Sequence, residues 1–403
     1  MYSRELLSAV AGLGLVSGAA ALGCSDDPVT LSSPGDVTVA AACTTIKNNL
    51  VIEAGAGTSV DLSGKLTEIQ GDFIVKNNTA IQTLSSSSLE TIGGTWDLEM
   101  LEALSSISFT ALNEVQAIEW LHLTNLGSPD FGSTGIKKAD SVWISDTRIP
   151  TIDGINVDSL TDLKIDNNLR LTQFTSSIKS LSNVMNINSN GLNLSMTLPN
   201  LVWAANLTIA NVSSFSSPSL ETINGSLYFD FSYFEKFEVA NLTEVKSGAV
   251  SFIGCPYVQN ISFPVLKSIG GGLTIANNTD LLKLDGFGKL ADIGGAIIVR
   301  GSFDEIDLPS LDNVVGTATF VSDGNIEDSC DDLNSLGTSI IQGGVTTCKS
   351  NDSLANNSTG SSTDGDSGSD SSGSGTGAAG FTSASMTTVF TLAALAGVFA
   401  AFL

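Results

Sequence analysis

A repeating unit constrains this chain more than any other feature of its sequence. Its clearest copy, residues 266–278, has two apolar residues three positions apart, a glycine turn, two apolar residues separated by one position, and then asparagine. Alternating apolar residues predict a strand, and glycine or asparagine between strands predicts a turn with unusual backbone angles. Further copies begin at Leu66, Leu89, Leu112, Leu160, Leu181, Leu220, Leu242, Leu290 and Leu311, with weaker ones at Ile136 and Leu201.

The spacing of these copies predicts a solenoid. Successive copies start 19 residues apart at the closest, from Leu201 to Leu220, and 24 apart at the widest, as from Leu242 to Leu266. A period in this range is typical of stacked repeats. One copy offers too few large apolar side chains to offset the entropy lost when its backbone is ordered. The copies must therefore stack on one another.

Between Cys43 and Cys330 the pattern predicts about thirteen coils of an all-β solenoid. The Leu-x-x-Ile segment, the main strand and a further apolar pair make three short extended segments in each coil. Three such segments favour a right-handed parallel β-helix over a leucine-rich horseshoe, whose units carry an outer helix. The expected inward pairs include Phe73/Val75, Trp96/Leu98, Leu121/Leu123, Leu207/Ile209, Leu227/Phe229, Leu273/Ile275 and Ile297/Val299.

The N-terminal residues 1–23 predict a signal peptide. An apolar stretch of small residues runs from Leu6 to Leu22 after Arg4, and cleavage is expected between Ala19 and Cys24. The stretch is too short for a good membrane span. A bacterial lipoprotein signal ending at Cys24 is the alternative, although Ala21 stands where such signals usually carry leucine.

The C-terminal residues predict a glycosylphosphatidylinositol (GPI) anchor. Residues 351–377 are rich in Ser, Thr, Gly, Asp and Asn, which predicts a disordered stalk with O-linked sugars. Small residues, a spacer and an apolar tail then follow, so residues 378–403 are expected to be removed. A true span is the alternative, but the 15 apolar residues 389–403 are short for a bilayer core. Attachment is expected at Gly377, with Ser374, Gly375 and Ala378 as alternatives.

Five cysteines fit this secretory route and the intervening ectodomain, residues 24–350. Cys24 and Cys43 precede the first copies, and Cys330 and Cys348 follow the last, where a solenoid must cover its end coils. We expect disulfides Cys24–Cys43 and Cys330–Cys348, each contributing about 3 kcal/mol. Cys255 is expected to be a buried thiol. No Cys-x-x-Cys or Cys/His cluster supports a metal site.

Charge and motifs exclude several classes of function. The chain has 17 Lys and Arg against 42 Asp and Glu, a formal net charge of −25, which disfavours binding to nucleic acid. His122, the only histidine, is expected at the surface. The sequence has no Gly-x-Ser-x-Gly, His-Glu-x-x-His, phosphate-binding loop or dinucleotide motif. We therefore expect no catalytic residues and no cofactor.

Carboxylates and aromatic residues are the remaining candidates for a site. Asp97, Glu99 and Glu119, or Asp230 with Glu235, could supply the two carboxylates of a glycosidase. Nothing in the sequence marks one pair above the many acidic turns. The tryptophans of three successive coils could stack on sugar rings or fill the core; they are Trp96, Trp120 and Trp143.

Asparagine follows the main strand in several coils and also supplies acceptor sites for N-linked glycans. The doublets starting at Asn48, Asn77, Asn167 and Asn277 predict left-handed turns, because asparagine tolerates that backbone. The Asn-x-Ser/Thr rule predicts a glycan-covered flank. The acceptors are Asn77, Asn193, Asn206, Asn211, Asn224, Asn241, Asn260, Asn277, Asn351, Asn356 and Asn357.

The ordered combination of these features resembles a known family. Signal peptide, paired cysteines at both ends, Leu-Thr-Glu-Ile and Leu-Glu-Thr-Ile units, residues 275–279 and 260–264, and the serine-rich anchored tail are similar to the fungal GPI-anchored cell-wall organisation proteins. These form the extracellular-mutant and sporulation-specific group, related to receptor L-domains. The resemblance covers essentially the whole chain and implies a role in wall integrity at the plasma membrane and cell wall, with no catalytic residues to transfer.

The leading hypothesis is a non-enzymatic, glycosylated solenoid on a lipid anchor. Its partners would be wall polysaccharide or mannoprotein, and its membrane contact the GPI lipid. The alternatives are a wall-polysaccharide-active enzyme on the same fold and a receptor-like module for a protein ligand. A groove with two carboxylates would favour the enzyme, and a flat apolar patch would favour the receptor.

Overall fold

The computed structural model describes residues 22–356, which wind into a parallel β-solenoid of about thirteen turns. Strands that follow one another along the axis run parallel and in register, as in β-strand pairs 207–210 with 227–230 and 250–253 with 273–276. The solenoid prediction is therefore confirmed. The expected signal peptide up to Ala21, and the expected sites Asn357, Ser374, Gly375, Gly377 and Ala378, lie outside the described residues.

The first turns follow a helical cap. Helix α1 (Pro34–Ala42) begins with proline, and the Ser33 hydroxyl accepts a hydrogen bond from the Asp36 backbone N–H, which is the usual N-cap arrangement. A single 3₁₀ turn covers Ala54–Ala56. The strands of this part are β1 (Val29–Leu31), β2 (Thr45–Ile46), β3 (Leu50–Ile52), β4 (Ser59–Asp61), β5 (Glu68–Ile69), β6 (Phe73–Lys76), β7 (Thr83–Ser86), β8 (Thr91–Glu99) and β9 (Ser106–Phe109).

In the central turns the first two extended segments merge into long strands. The register shifts between Val115 and Ala117, between Leu160 and Asp162, and again after Leu181, which are β-bulges that absorb an extra residue. The strands are β10 (Glu114–Leu123), β11 (Ser141–Thr147), β12 (Ser159–Asp166), β13 (Gln173–Thr175), β14 (Ser180–Asn188), β15 (Leu194–Thr197), β16 (Trp203–Ala210) and β17 (Val212–Ser216).

The C-terminal turns instead keep the segments separate. Their strands are β18 (Thr222–Ile223), β19 (Leu227–Asp230), β20 (Lys236–Glu238), β21 (Glu244–Val245), β22 (Val250–Ile253), β23 (Asn260–Ser262), β24 (Ser268–Ile269), β25 (Leu273–Asn278), β26 (Lys283–Leu284), β27 (Asp292–Ile293), β28 (Ile297–Gly301), β29 (Glu305–Ile306), β30 (Asn313–Val314) and β31 (Ala318–Ser322). Helices α2 (Glu327–Ser335) and α3 (Gly337–Ile340) and strand β32 (Val345–Lys349) then close the solenoid.

Two kinds of sheet result from this winding. One 22-stranded sheet contains the first and second segments of every turn, and the third segments form smaller sheets such as β13-β15-β17. Within residues 22–356 the α-helices lie only at the two ends of the solenoid, with α1 between β1 and β2 and the others after β31. This arrangement agrees with the expected β-solenoid and differs from a leucine-rich horseshoe.

The interior is filled by apolar side chains from all segments. Trp96 and Trp120 meet edge to face at 5.0 Å between ring centroids, and Phe229 and Phe252 stack at 5.2 Å. The expected inward pair Leu121/Leu123 is wrong, because the bulge after Val115 turns Trp120 inward and leaves Leu121 half-buried on the outside. Leu123 is buried, but only after a left-handed turn of the backbone at His122.

Disulfides fasten both ends of the solenoid. Cys24 pairs with Cys43 and Cys330 pairs with Cys348, at Cα–Cα distances of 5.8 and 5.7 Å. The first bond holds the N-terminal segment against α1, and the second joins α2 to β32. Both expected pairings are confirmed, and Cys255 is the buried free thiol.

Glycine recurs between the first and second segments, but not because of the unusual backbone angle that we expected. We define the turn column as the residue two positions before the first inward residue of each main strand; in the C-terminal turns it holds Gly225, Gly248, Gly271, Gly295, Gly316 and Gly343. None of these glycines has a positive φ. A Cβ on Gly271 would instead lie 2.7 Å from the carbonyl carbon of Gly248. Close approach of stacked backbones, rather than an unusual backbone angle, therefore requires glycine here.

Candidate functional site

The outer face of the large sheet presents straight rows of side chains. Parallel register places equivalent residues above one another at about 4.8 Å, so chemistry repeats along the solenoid axis. We define the middle row as the outward residue between the two inward residues of each main strand. It contains Asp97, Glu119, Trp143, Lys164, Asn186, Thr208, Tyr228, Ser251, Thr274 and Ile298.

Trp143 is the one expected sugar-stacking residue that reaches solvent. It is 37% exposed, its indole Nε1 donates a hydrogen bond to Asp166 at 3.1 Å, and the Lys164 ammonium lies 5.4 Å from the ring centroid. The cation–π contact and the hydrogen bond hold the ring in one orientation. Trp96 and Trp120 instead fill the core, the other role that the sequence allowed, and both rings are fully buried.

The predicted carboxylates lie close together, and one lysine pairs with two of them. Asp97 and Glu119 are register partners on β8 and β10. The Lys76 ammonium lies 2.6 Å from Asp97 and 3.1 Å from Glu99, and the hydrogen bond to Asp97 is the main reason that the pKa of Lys76 is raised. Lys76 thus holds two of the three carboxylates, Asp97 and Glu99, in ion pairs. A glycosidase instead needs two carboxylates that face the substrate.

Asp230 and Glu235 are separated by a corner of the backbone. Asp230 ends β19 on the outer face, where burial raises the pKa of its carboxyl group to about 6. Glu235 is exposed in the segment leading to β20, beyond the left-handed residue Phe231. A desolvated carboxyl without a facing partner is a weak basis for an acid–base pair.

A column of left-handed residues forms one corner of the solenoid. From β6 to β25 each main strand ends at a residue with positive φ: Asn77, Met100, His122, Asp146, Asn167, Ser189, Asn211, Phe231, Gly254 and Asn277. Three of the four asparagine doublets are placed as predicted, whereas Asn48 is not left-handed. His122 is exposed, as expected, and its Nδ1 lies 2.7 Å from Asp146 of the next turn.

The residue after each corner points inward and often carries a polar group. Asn168 is fully buried, accepts hydrogen bonds from the backbone and hydroxyl of Thr147, and donates to the Ile144 carbonyl. Its Nδ2 also donates to Asn190 Oδ1 of the next turn. These bonds link three turns inside an apolar core, where an unpaired amide would be costly.

Cys255 occupies the same inward position in its turn. Its backbone N–H donates to Asn278 Oδ1 at 2.8 Å, and its thiol lies 3.7 Å from the Phe229 carbonyl. The Asn278 Nδ2 donates to the Phe252 carbonyl in the corresponding contact one turn later. Burial raises the pKa of the Cys255 thiol to about 12, so the thiolate is scarce at neutral pH. Cys255 is a structural residue.

The flank between β23 and β26 contains an open groove that the sequence did not reveal. Its volume is about 540 Å³, and its lining includes Gln259, Asn260, Asp280, Leu282 and Lys283. Tyr257, which is 53% exposed, lies just before this segment, and its ring is 6.3 Å from that of Tyr233. The sequence contained one signal for an exposed apolar residue here. Two adjacent leucines, Leu281 and Leu282, break the alternation, so Leu281 is buried and Leu282 lies outside.

The glycan acceptors lie in different surroundings. Asn77, Asn211 and Asn277 are at the left-handed corner, and Asn206 and Asn224 lie beside the outer face. Asn193, Asn241 and Asn260 are exposed on the flank, whereas Asn351 and Asn356 belong to the C-terminal segment. Occupancy of these sites, and with it the glycan-covered flank, stays a prediction.

Residues 22–356 contain neither a metal-binding cluster nor a membrane-spanning helix. No three His, Cys, Asp or Glu side chains in this part of the chain converge in a way that could hold a metal ion. In the same residues no helix is long and apolar enough to cross a bilayer.

Comparison with known proteins finds related fungal proteins. Sporulation-specific protein 2 of Saccharomyces cerevisiae is 37% identical over 77% of this chain, which spans 62% of that relative. Protein ecm33 of Aspergillus fumigatus is 31% identical, covering 82% of both chains. The cell surface GPI-anchored protein of Arthroderma benhamiae is 31% identical, covering 86% of this chain and 87% of the relative. Relatives at 29% identity are named cell wall mannoprotein and cell wall protein. No family model and no solved structure matches.

Proposed function

We propose that this chain, which belongs to the fungal family of ecm33 and sporulation-specific cell-wall proteins, organises the wall by binding its polysaccharide or mannoprotein without catalysis. Its role is related to the cell wall, and its location is the outer face of the plasma membrane and the wall. The names of its relatives describe surface and wall proteins rather than enzymes.

The observation that carries the proposal is the middle row of the outer face. Polymers of sugar repeat along their length, and the row offers amide and hydroxyl groups from Asn186, Thr208 and Tyr228 at strand spacing. Trp143 adds an aromatic ring, held by Asp166 and Lys164, at one end of these groups. A pre-ordered ring and aligned hydrogen-bonding groups lower the entropic cost of binding an extended chain.

Binding of glucan, chitin or mannan by residues 24–350 tests this proposal, since both disulfide-bonded caps lie within that range. We expect Trp143→Ala to weaken binding about tenfold, which corresponds to about 1.4 kcal/mol. Trp203→Ala is the matched control, because Trp203 is partly exposed but lies outside the middle row. Equal affinities of Trp143→Ala and wild type would contradict the assigned face.

The same samples distinguish the enzyme alternative. Adjacent Asp97 and Glu119 are the arrangement that favours it, and Lys76 is the group that opposes it. We expect no release of reducing ends from any bound polysaccharide over a pH series. If the wild type hydrolyses a polysaccharide and the Asp97→Asn and Glu119→Gln variants do not, the function is catalysis and not binding.

A receptor-like role is the third possibility, and a flat apolar patch would favour it. The middle row is polar from Asn186 to Thr274, and its aliphatic members are Val51 and Ile74 near the N-terminal end and Ile298 near the C-terminal end. Absence of saccharide binding together with saturable binding of a purified wall mannoprotein with its glycans removed would support this alternative.

A further inference from the structure

The open groove between β23 and β26, which we call the flank groove, has at its edge a residue that can carry a covalently attached glycan. It crosses two consecutive turns, with Gln259 and Asn260 on one and Asp280, Leu282 and Asp285 on the next. Asn260 begins β23, is exposed, and stands in the sequence Asn-Ile-Ser, which is an acceptor for N-linked glycans. The secretory location of the chain exposes this acceptor to the glycosylation machinery.

The Asn260 amide is free, in contrast to several other acceptors. Asn241 Nδ2 donates to the Pro218 carbonyl at 2.7 Å, and Asn206 Nδ2 donates to the Asn183 carbonyl at 3.1 Å. Among the described residues, the Asn260 side chain makes no hydrogen bond. A sugar attached to its nitrogen would therefore break no existing contact.

The groove offers the contacts that a sugar ring uses. The side chains of Gln259, Asp280 and Asp285 form no hydrogen bond within the described part of the protein, so their donors and acceptors face solvent. Leu282, 48% exposed, supplies an apolar surface for the C–H face of a ring. Lys283 is fixed by Glu305 at 2.6 Å, and this contact raises the pKa of its ammonium group.

We propose that this groove seats the inner N-acetylglucosamine residues of a glycan attached at Asn260. Acetamide and hydroxyl groups can exchange hydrogen bonds with Gln259 and the two carboxylates, and the ring can cover Leu282. Because the sugar is covalently attached at the rim, its effective concentration is high and weak contacts suffice. This inference is independent of polysaccharide binding by the outer face and needs only the secretory route.

The test uses the full chain secreted from a fungal host. Ser262→Ala removes the acceptor sequence without changing Asn260, and Thr243→Ala does the same for Asn241, an exposed flank acceptor that does not line this groove. Peptide mass spectrometry measures occupancy at both sites. Under native conditions we expect an endoglycosidase to remove the Asn260 glycan about tenfold more slowly than the Asn241 glycan, since a tenfold change needs only about 1.4 kcal/mol of contacts.

A double-mutant cycle shows whether the groove itself holds the sugar. Leu282→Ala should accelerate removal of the Asn260 glycan toward the rate at Asn241, and its effect on thermal stability should differ between wild type and Ser262→Ala. An unoccupied Asn260, equal removal rates at the two sites, or an unchanged rate in Leu282→Ala would overturn the proposal. Variants that fail to be secreted can be replaced by wild type treated with the enzyme after folding.

Discussion

The central and C-terminal turns enclose the same kind of apolar core, but they differ in the residues of the turn column and in the length of their strands. In the C-terminal turns the turn column is glycine, the backbones stack closely, and short separate strands result. In the central turns the column holds Gln116, Asp140, Thr161, Asn183 and Ala205, and long bulged strands result. Hydrogen bonds along the column persist in both, as from Thr161 to Asp140 and from Gly271 to Gly248. The column therefore carries side chains in the central turns and glycine in the C-terminal turns, where stacked backbones approach closely.

The largest expected effect comes from placing a side chain in the glycine column. Gly271→Val should lower the free energy of unfolding by about 3 kcal/mol or more, because its Cβ would collide with the Gly248 backbone, which cannot move as a flexible side chain would. Thr161→Val, with the same β-branched shape in a bulged turn, should change it by less than about 0.5 kcal/mol. Urea unfolding of both variants measures the difference. Similar losses in the free energy of unfolding would mean that the turn column tolerates side chains equally in the central and C-terminal turns.

A second comparison concerns the inward residue that follows each left-handed corner, which is Asn168 in the central turns and Cys255 in the C-terminal turns. Asn168→Ala in the central turns should cost about 2–3 kcal/mol, because the Thr147 N–H and the Ile144 carbonyl lose their partner inside the core. Cys255→Ala in the C-terminal turns should cost only about 1 kcal/mol, since a thiol contributes weak hydrogen bonds. Thermal unfolding provides the measurement. Equal costs would show that volume, rather than hydrogen bonding, decides this position.

The smallest effect concerns two aspartates in equivalent outward positions. The folded-state pKa of Asp230 is about 6, against an ordinary value of 3.8, so the folded state holds the proton more tightly. The free energy of unfolding should therefore fall as pH rises from about 4 to about 6, and remain lower above that range. Asp230→Asn should stabilise the protein at pH 7 by about 1–2 kcal/mol, and the gain should vanish below about pH 4.

Asp166 is the matched control for Asp230 in the central turns. It accepts hydrogen bonds from Trp143 and Ser145, so Asp166→Asn removes one acceptor and should destabilise by about 1 kcal/mol at pH 7. Chemical unfolding across a pH series compares the two variants. A stabilising Asp166→Asn, or a pH-independent Asp230→Asn, would contradict the assigned environments.

The sequence predicted much of the fold because the residues that must be buried recur at regular spacings along it. The Leu-x-x-Ile spacing, the alternation in residues such as Leu273 and Ile275, and the position of the paired cysteines led to the solenoid and its disulfides. The pattern failed at Leu121, where a bulge changed which side of the strand faced inward. Alternation alone cannot locate a bulge, since one extra residue reverses every side chain after it.

The candidate sites were harder to predict than the fold. Three tryptophans had similar sequence surroundings, yet two fill the core and only Trp143 lies outside. Asp97 and Glu119 are 22 residues apart, and only the register of β8 and β10 makes them neighbours. The groove beside Asn260 joins residues from two turns, and neither turn contains it alone.

By itself the sequence determined that the chain stacks repeats, closes both ends with disulfides and places asparagine at left-handed corners. Those features depend on local patterns, such as apolar spacing and backbone preference, which every copy of the unit carries. Tertiary structure decided which tryptophan is exposed, why Gly271 must be glycine, and that a groove adjoins Asn260. These depend on distances between neighbouring turns, because stacked backbones only about 4.8 Å apart bring together residues some 20 positions distant in the chain.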